Sequence, residues 1–161
     1  MAEDVLFAVQ PEPSEFEAKP VEETDKYLIF RSNGILFGVH SDSVKEIITE
    51  ARITLIPVLP EHISGVVNLR GLIVPIIDFR RLLGQYPAEN RCIIVLEYEG
   101  VQLGILVDEV DQMVDAYKKS ILPVPYQNGQ SVQNLVTGMY SLPEDGGTLM
   151  MLDIAFLYHE Q

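Results

Sequence analysis

Four carboxylates crowd one stretch of the chain, Asp108, Glu109, Asp111 and Asp115, and such a cluster is the raw material of a hard-cation site. Their spacing argues against one. Calcium loops alternate carboxylates around a glycine turn, whereas these acids are interleaved with Val110, Met113 and Val114, as on a strand with one solvated face. His40, His62 and His159 stand in unrelated settings: a strand end, a polar turn between Pro60 and Gly65, and the end of the chain. No Gly-rich phosphate loop, CxxC pair, HExxH or GxSxG occurs. Cys92 lies inside the apolar run Cys92-Ile93-Ile94-Val95-Leu96, where a buried reduced thiol is expected rather than a nucleophile. No catalytic, metal or cofactor-binding residue is assigned, and the chain reads as a non-enzyme. The charge that stands out is Arg70, in the turn Asn68-Leu69-Arg70-Gly71 between Val66-Val67 and the run Leu72 to Ile77. A cation held between apolar walls suits the docking of a partner.

The elements that position Arg70 are short strands. Lys26 to Arg31 and Ile35 to His40 form a hairpin across Ser32-Asn33-Gly34, because Asn-Gly supplies the positive backbone φ that tight hairpins need. Further strands are expected at Ile53 to Val58, Val66 to Leu69, Leu72 to Ile77, Cys92 to Tyr98, Val101 to Val107, Val110 to Ala116, Leu135 to Tyr140 and Leu149 to Leu152. Pro75 cannot donate to a ladder, so its strand should be an edge or bulged there. Asp78 precedes Phe79-Arg80-Arg81-Leu82-Leu83 as a helix N-cap, and Gly84 can close that turn in a left-handed conformation. Ser43 and Glu46 have capping-box spacing, so a helical turn near Ser41 is expected before a strand resumes at Ile47-Ile48.

The chain also repeats itself at an offset of 66 residues. Leu28-Ile29-Phe30, Gly34, Gly38-Val39, Asp42, Val44 and Ile48 fall on Ile94-Val95-Leu96, Gly100, Gly104-Ile105, Asp108, Val110 and Val114. Ile56-Pro57-Val58 falls on Leu122-Pro123-Val124; later the offset drifts, Gly65 matching Gly138 and Asp78 matching Asp153, for which a longer turn around Pro143 to Gly147 is expected. Glycine, proline and aspartate recurring at turns indicate two copies of one small β unit. Many short strands and few helices point to small closed or half-closed barrels, which avoid open edges.

Composition narrows the partners. Of a net charge of −13, −7 lies in residues 1–25 and −6 on the remainder, so no basic stripe exists for nucleic acid or an anionic membrane. Residues 1–24, with Pro11, Pro13, Pro20 and seven acids, read as a disordered acidic tail, within which Val5-Leu6-Phe7-Ala8-Val9 is a short apolar exception. No run approaches the roughly 20 apolar residues of a membrane span and no signal-peptide pattern is seen, so a cytoplasmic location is expected.

Taken together, GVVNLRGLIVPIIDFR, the hairpin before it and the later IIVLEYEGVQLGILVDEV resemble the CheW family, the coupling proteins of bacterial chemotaxis arrays, over about residues 26 to 158. The resemblance implies a mainly β domain over residues 25–161, made of two five-stranded SH3-like barrels side by side, with a strand-exchange boundary near 85–92. It implies a non-enzymatic scaffold joining a chemoreceptor tip to the regulatory domain of a histidine kinase, recruited to membrane-associated arrays. Val44, Glu46 and Ile47 match the receptor-binding stretch, and Arg70 matches the motif arginine that can pair with this glutamate. Glu46 could equally serve as the capping partner of Ser43. Gly65, Asn68 and Gly71 match the motif with backbone roles, and Ile53, Leu55 and Val58 are the apolar residues expected at the kinase-facing barrel end. The alternatives are a non-flagellar chemosensory coupler, an inhibitory decoy tuned by the tail, and a hydrolase or small-ligand domain with its site between the barrels.

Overall fold

Three tight hairpins are set by residue pairs that accept two successive positive φ angles: Asn33-Gly34 (53° and 81°), Arg70-Gly71 (52° and 90°) and Glu99-Gly100 (52° and 81°). This is the turn whose twist matches that of paired strands. A computed structural model describes residues 22–50, 52–57, 59–60, 63–86, 92–125 and 132–159. The strands are β1 (Thr24–Ser32), β2 (Ile35–His40), β3 (Val44–Ile48), β4 (Ile63–Leu69), β5 (Leu72–Asp78), β6 (Cys92–Tyr98), β7 (Val101–Val107), β8 (Glu109–Tyr117), β9 (Leu122–Pro123), β10 (Val136–Ser141) and β11 (Thr148–Leu152). Helix α1 (Phe79–Leu82) follows β5 and helix α2 (Ile154–His159) follows β11.

The strands form two sheets, ordered β8-β1-β2-β11-β10-β9 and β3-β6-β7-β5-β4. Each curls into a small SH3-like barrel, and the two obey one plan. The hairpin β1-β2 is flanked by β8 and, in parallel, by β11, just as β6-β7 is flanked by β3 and, in parallel, by β5. Each barrel therefore borrows its central hairpin from the other half of the chain. The repeat in the sequence and the barrels in space are two different divisions of the same strands.

This exchange explains why the borrowed hairpins are apolar on both faces. Along β1, Ile29 points into the first barrel with Ala116, Tyr140, Leu149 and Met151, while Leu28 and Phe30 point to the seam between barrels. Along β6, Ile93 and Val95 fill the second barrel with Val67, Val74, Ile76 and Leu106, while Ile94 and Leu96 meet the seam. The seam is the largest of the three cores, and Phe30, Phe37 and Phe79 meet there with ring centroids 4.9–5.4 Å apart. Among the described residues the seam between the barrels, where a hydrolase or small-ligand reading puts its site, is packed side chain.

Several sequence expectations change in detail. Among the described residues, the strand expected at Ile53 to Val58 reduces to a single bridge, Thr54 with Val66, closed by N–H···O bonds of 2.8 and 2.9 Å. Val58 itself lies outside the described residues, as do His62 and Val5 to Val9. Leu135 closes a short 3-10 turn (Val132–Leu135) rather than opening β10. Thr24 already opens β1, and Glu23 accepts the Lys118 N–H at 3.0 Å, so the sheet starts within the stretch expected as tail. Pro75 obeys its constraint in an unexpected way. β5 is internal to its sheet, but its pairing with β7 begins only at Ile76, so Pro75 has a neighbour, Val66, on one side alone.

Both helices start from the aspartates that the repeat matches. Asp78 Oδ1 accepts from the N–H groups of Arg80 and Arg81, and Asp153 Oδ1 accepts from that of Ala155. Gly84 (φ 76°) ends α1, with Gln85 N–H returning to Arg80 O at 2.8 Å. Helix α2 is pinned by Tyr158, whose hydroxyl donates to Val101 O at 2.8 Å and lies 3.2 Å from Leu96 O. Burial, reinforced by the charge of Glu97, pushes the Tyr158 phenol up to about 12 from the ordinary 10.0. Between these values the folded chain keeps a proton that the unfolded chain releases, so this contribution to stability is complete below pH 10 and lost as pH rises towards 12. Thermal melts across that window should fall more steeply for the wild type than for Tyr158→Phe; parallel curves would refute the assignment.

Candidate docking site

The turn that carries Arg70 reaches across the open side of the second barrel. β3 and β4 are the two edges of that sheet, and the Arg70 guanidinium, from the β4–β5 turn, donates to Glu46 Oε1 in the middle of β3. The turn is stiffened from below, since Asn68 Oδ1 accepts the Gly71 N–H at 2.9 Å. Arg70 remains 77% exposed while Glu46 is 33% exposed, so the pair is an ionic bar across the barrel mouth with its cationic end in water. Beside it opens a groove of about 340 Å³, lined by Ile48, Glu50, Arg52, Thr54, Val67 and Leu69.

The sequence-derived residues fall into three groups around this bar. Glu46 and Arg70 are brought together, with Ile47 exposed beside Glu46 and Val44 half-buried against the seam core. The capping-box alternative for Glu46 is not realised. The 3-10 turn Ser41–Ser43 is capped by His40, whose Nδ1 accepts the Asp42 N–H at 3.2 Å, and Glu46 is already in β3. Gly65 has a backbone role, because a Cβ there would collide with the Thr54 carbonyl oxygen and so break the bridge that closes this edge. Of the residues expected at the kinase-facing end, Leu55 is 79% exposed, whereas Ile53 packs against the core of the second barrel.

The carboxylates that suggested a cation are occupied by side chains. Arg31 lies 3.1 Å from Glu109 and 3.7 Å from Asp111, and Lys26 lies 3.1 Å from Asp115, all across the β1–β8 pairing. Among the described residues no group of three or more His, Cys, Asp or Glu is arranged to hold a metal. Asp108 departs from the expected solvated strand face. It turns inward at the β7–β8 corner, takes Arg80 Nε at 2.7 Å, pairs with Arg80 Nη2 and accepts the Asn33 N–H at 2.8 Å. This knot ties α1, the β1–β2 turn and the β7–β8 corner together. Its only sequence signal was the match of Asp108 with Asp42, which marks a corner without naming the partner. Cys92 is half-buried and free, and burial pushes its thiol up, which keeps it protonated and unreactive.

The CheW-like domain model matches residues 26–161, nearly the whole of the described double barrel. The chain belongs to the CheW family. A chemotaxis protein CheW of Klebsiella aerogenes is 34% identical over 132 residues, covering 80% of this chain and 78% of that protein. A probable chemotaxis protein CheW of Rhizobium etli is 30% identical over 149 residues, covering 90% and 95%. Among solved structures, the scaffolding protein TtCheW of Thermoanaerobacter tengcongensis superposes with a TM-score of 0.73 at 28% identity, covering 81% of this chain and 90% of that one. CheW-family proteins are adaptors of chemotaxis signalling, not enzymes. No helix among the described residues is long and apolar enough to cross a membrane.

Proposed function

We propose that this CheW-family chain couples a chemoreceptor to a histidine kinase in the cytoplasm, within a membrane-associated sensory array. The receptor's helical tip docks along β3 and the Arg70 turn, touching Val44, Glu46, Ile47 and Arg70. The kinase regulatory domain meets a barrel end near Leu55, with Ile53 supporting that loop from inside. The observation that carries this reading is the Arg70–Glu46 bar. It holds an exposed guanidinium in one place beside a groove that mixes apolar Ile48, Val67 and Leu69 with polar Glu50, Arg52, Thr54 and Asn68, and neither the packing of the core nor the turn requires a charge there. Family membership supports the coupling role, and transient interfaces of this kind need only about 800 Å² per partner with an apolar centre.

The test is reconstitution. Receptor cytoplasmic fragment, kinase and this chain are mixed in pairs and together, and kinase autophosphorylation is measured. The expected result is binding to each partner separately, with stimulation only when all three are present. Stimulation that is independent of this chain, or binding to neither partner, would defeat the proposal.

A further inference from the structure

The two barrel mouths are equivalent in the repeat but are closed differently. At the repeat offset of 66 Gln112 stands where Glu46 does, and the turn that corresponds to Arg70-Gly71 is the longer stretch 142–147, which holds no lysine or arginine, so the first barrel lacks the ionic bar of the second. Its mouth is an open recess of about 270 Å³. The floor is apolar: Ile29, Leu36, Val114 and Leu142, all part of the first barrel's core or packed against it. The rim is acidic. Arg31 is already held between Glu109 and Asp111, and Glu144 stands over the recess on a turn fixed by Leu142 N–H to Gly147 O at 2.8 Å and Gly146 N–H to Pro143 O at 3.1 Å.

We propose that this recess is a second docking surface, distinct from the Arg70 groove, for a protein segment that inserts a leucine- or isoleucine-sized side chain flanked by lysine or arginine. The apolar floor supplies the anchor point and the acids at the rim select the sign of the flanking charge. An acidic segment is rejected by like-charge repulsion.

The full chain is titrated with a short fluorescein-labelled peptide of alternating lysine and leucine, and with its glutamate–leucine counterpart, reading anisotropy. The lysine peptide should bind and the glutamate peptide should not. Glu144→Lys should weaken the lysine peptide by roughly threefold to fivefold, the scale of one exposed charge contact. The pair Gln112→Glu with Pro143→Arg, which brings the two charges of the other mouth's bar to this one, should weaken it by about tenfold. Circular dichroism should be unchanged in both variants, and amide shifts in the wild type should cluster at Leu36, Val114 and Leu142. Equal binding of both peptides, indifference to both variants, or shifts centred on Arg70 would overturn the proposal. So would self-association of the chain that Glu144→Lys abolishes, which would give the recess to a second copy.

Discussion

Arg70→Glu should reduce capture of a receptor cytoplasmic tip by about 30-fold or more, the scale of a central arginine contact, while changing the stability of the chain by less than about 1 kcal/mol. The separation of these two effects follows from where the side chain sits. Arg70 is largely in water and its bond to Glu46 is an exposed ion pair, so the fold scarcely depends on it. Its backbone is secured independently by Asn68 and by Gly71. A charge-swapped pair, Glu46→Arg with Arg70→Glu, separates the two functions the bar could have. If the receptor reads only the shape of the barred mouth, the swap restores capture. If it reads the cation at the tip of the turn, the swapped chain stays as defective as the single variant, and this second result is expected. Binding is measured by pull-down and kinase stimulation, stability by urea denaturation. Undiminished capture by Arg70→Glu would remove the β3 face from the receptor interface.

How much of this was legible beforehand depended on range in the sequence. The hairpin at Asn33-Gly34, the N-cap at Asp78 and the left-handed Gly84 are decided by residues within a few positions, and local chemistry gave their placement directly. The twin-barrel plan was visible because turn residues recur at a fixed offset. Which hairpin joins which barrel was harder to see, since Leu28-Ile29-Phe30 and Ile94-Val95-Leu96 carry the same pattern and either could complete either barrel. The strand expected at Ile53 to Val58 failed for a related reason. Its β-branched residues suit a strand, but among the described residues only Thr54 pairs, with Val66, at the point where Gly65 leaves room for the Thr54 carbonyl. At the candidate site, Arg70 stood out as a charge in a turn between apolar runs and Glu46 entered by resemblance, yet the sequence could not choose between a cap and a bar for Glu46. The partner of a side chain lies in the tertiary structure, and for Asp108 it was Arg80, 28 residues away.

Phe79→Ala should cost about 3–5 kcal/mol, a large part of the roughly 5–15 kcal/mol that holds a domain of this size together. Phe79 is fully buried at the start of α1 and meets Phe37 at 4.9 Å and Phe30 at 5.3 Å, both edge-on. Those two rings belong to the hairpin of the first barrel, whereas α1 follows directly from β5 of the second. Truncation therefore opens a cavity between barrels rather than inside one. An equal loss of volume at an exposed apolar position such as Met113 on β8, which is 44% exposed, should change stability by no more than about 0.5 kcal/mol. Because each barrel is completed by a hairpin from the other half of the chain, neither can unfold without dismantling its neighbour. Urea denaturation followed by tyrosine fluorescence and by circular dichroism should give one coincident transition for the wild type and for Phe79→Ala, displaced to lower urea in the variant. Two separate transitions, or a loss below about 1 kcal/mol, would show that the barrels stand alone and that the seam merely joins them. If the seam does govern both barrels, Phe79→Ala should also loosen the strands that carry Glu46 and Arg70. Receptor capture would then fall at temperatures where the variant is still folded, although Phe79 is buried and out of a partner's reach.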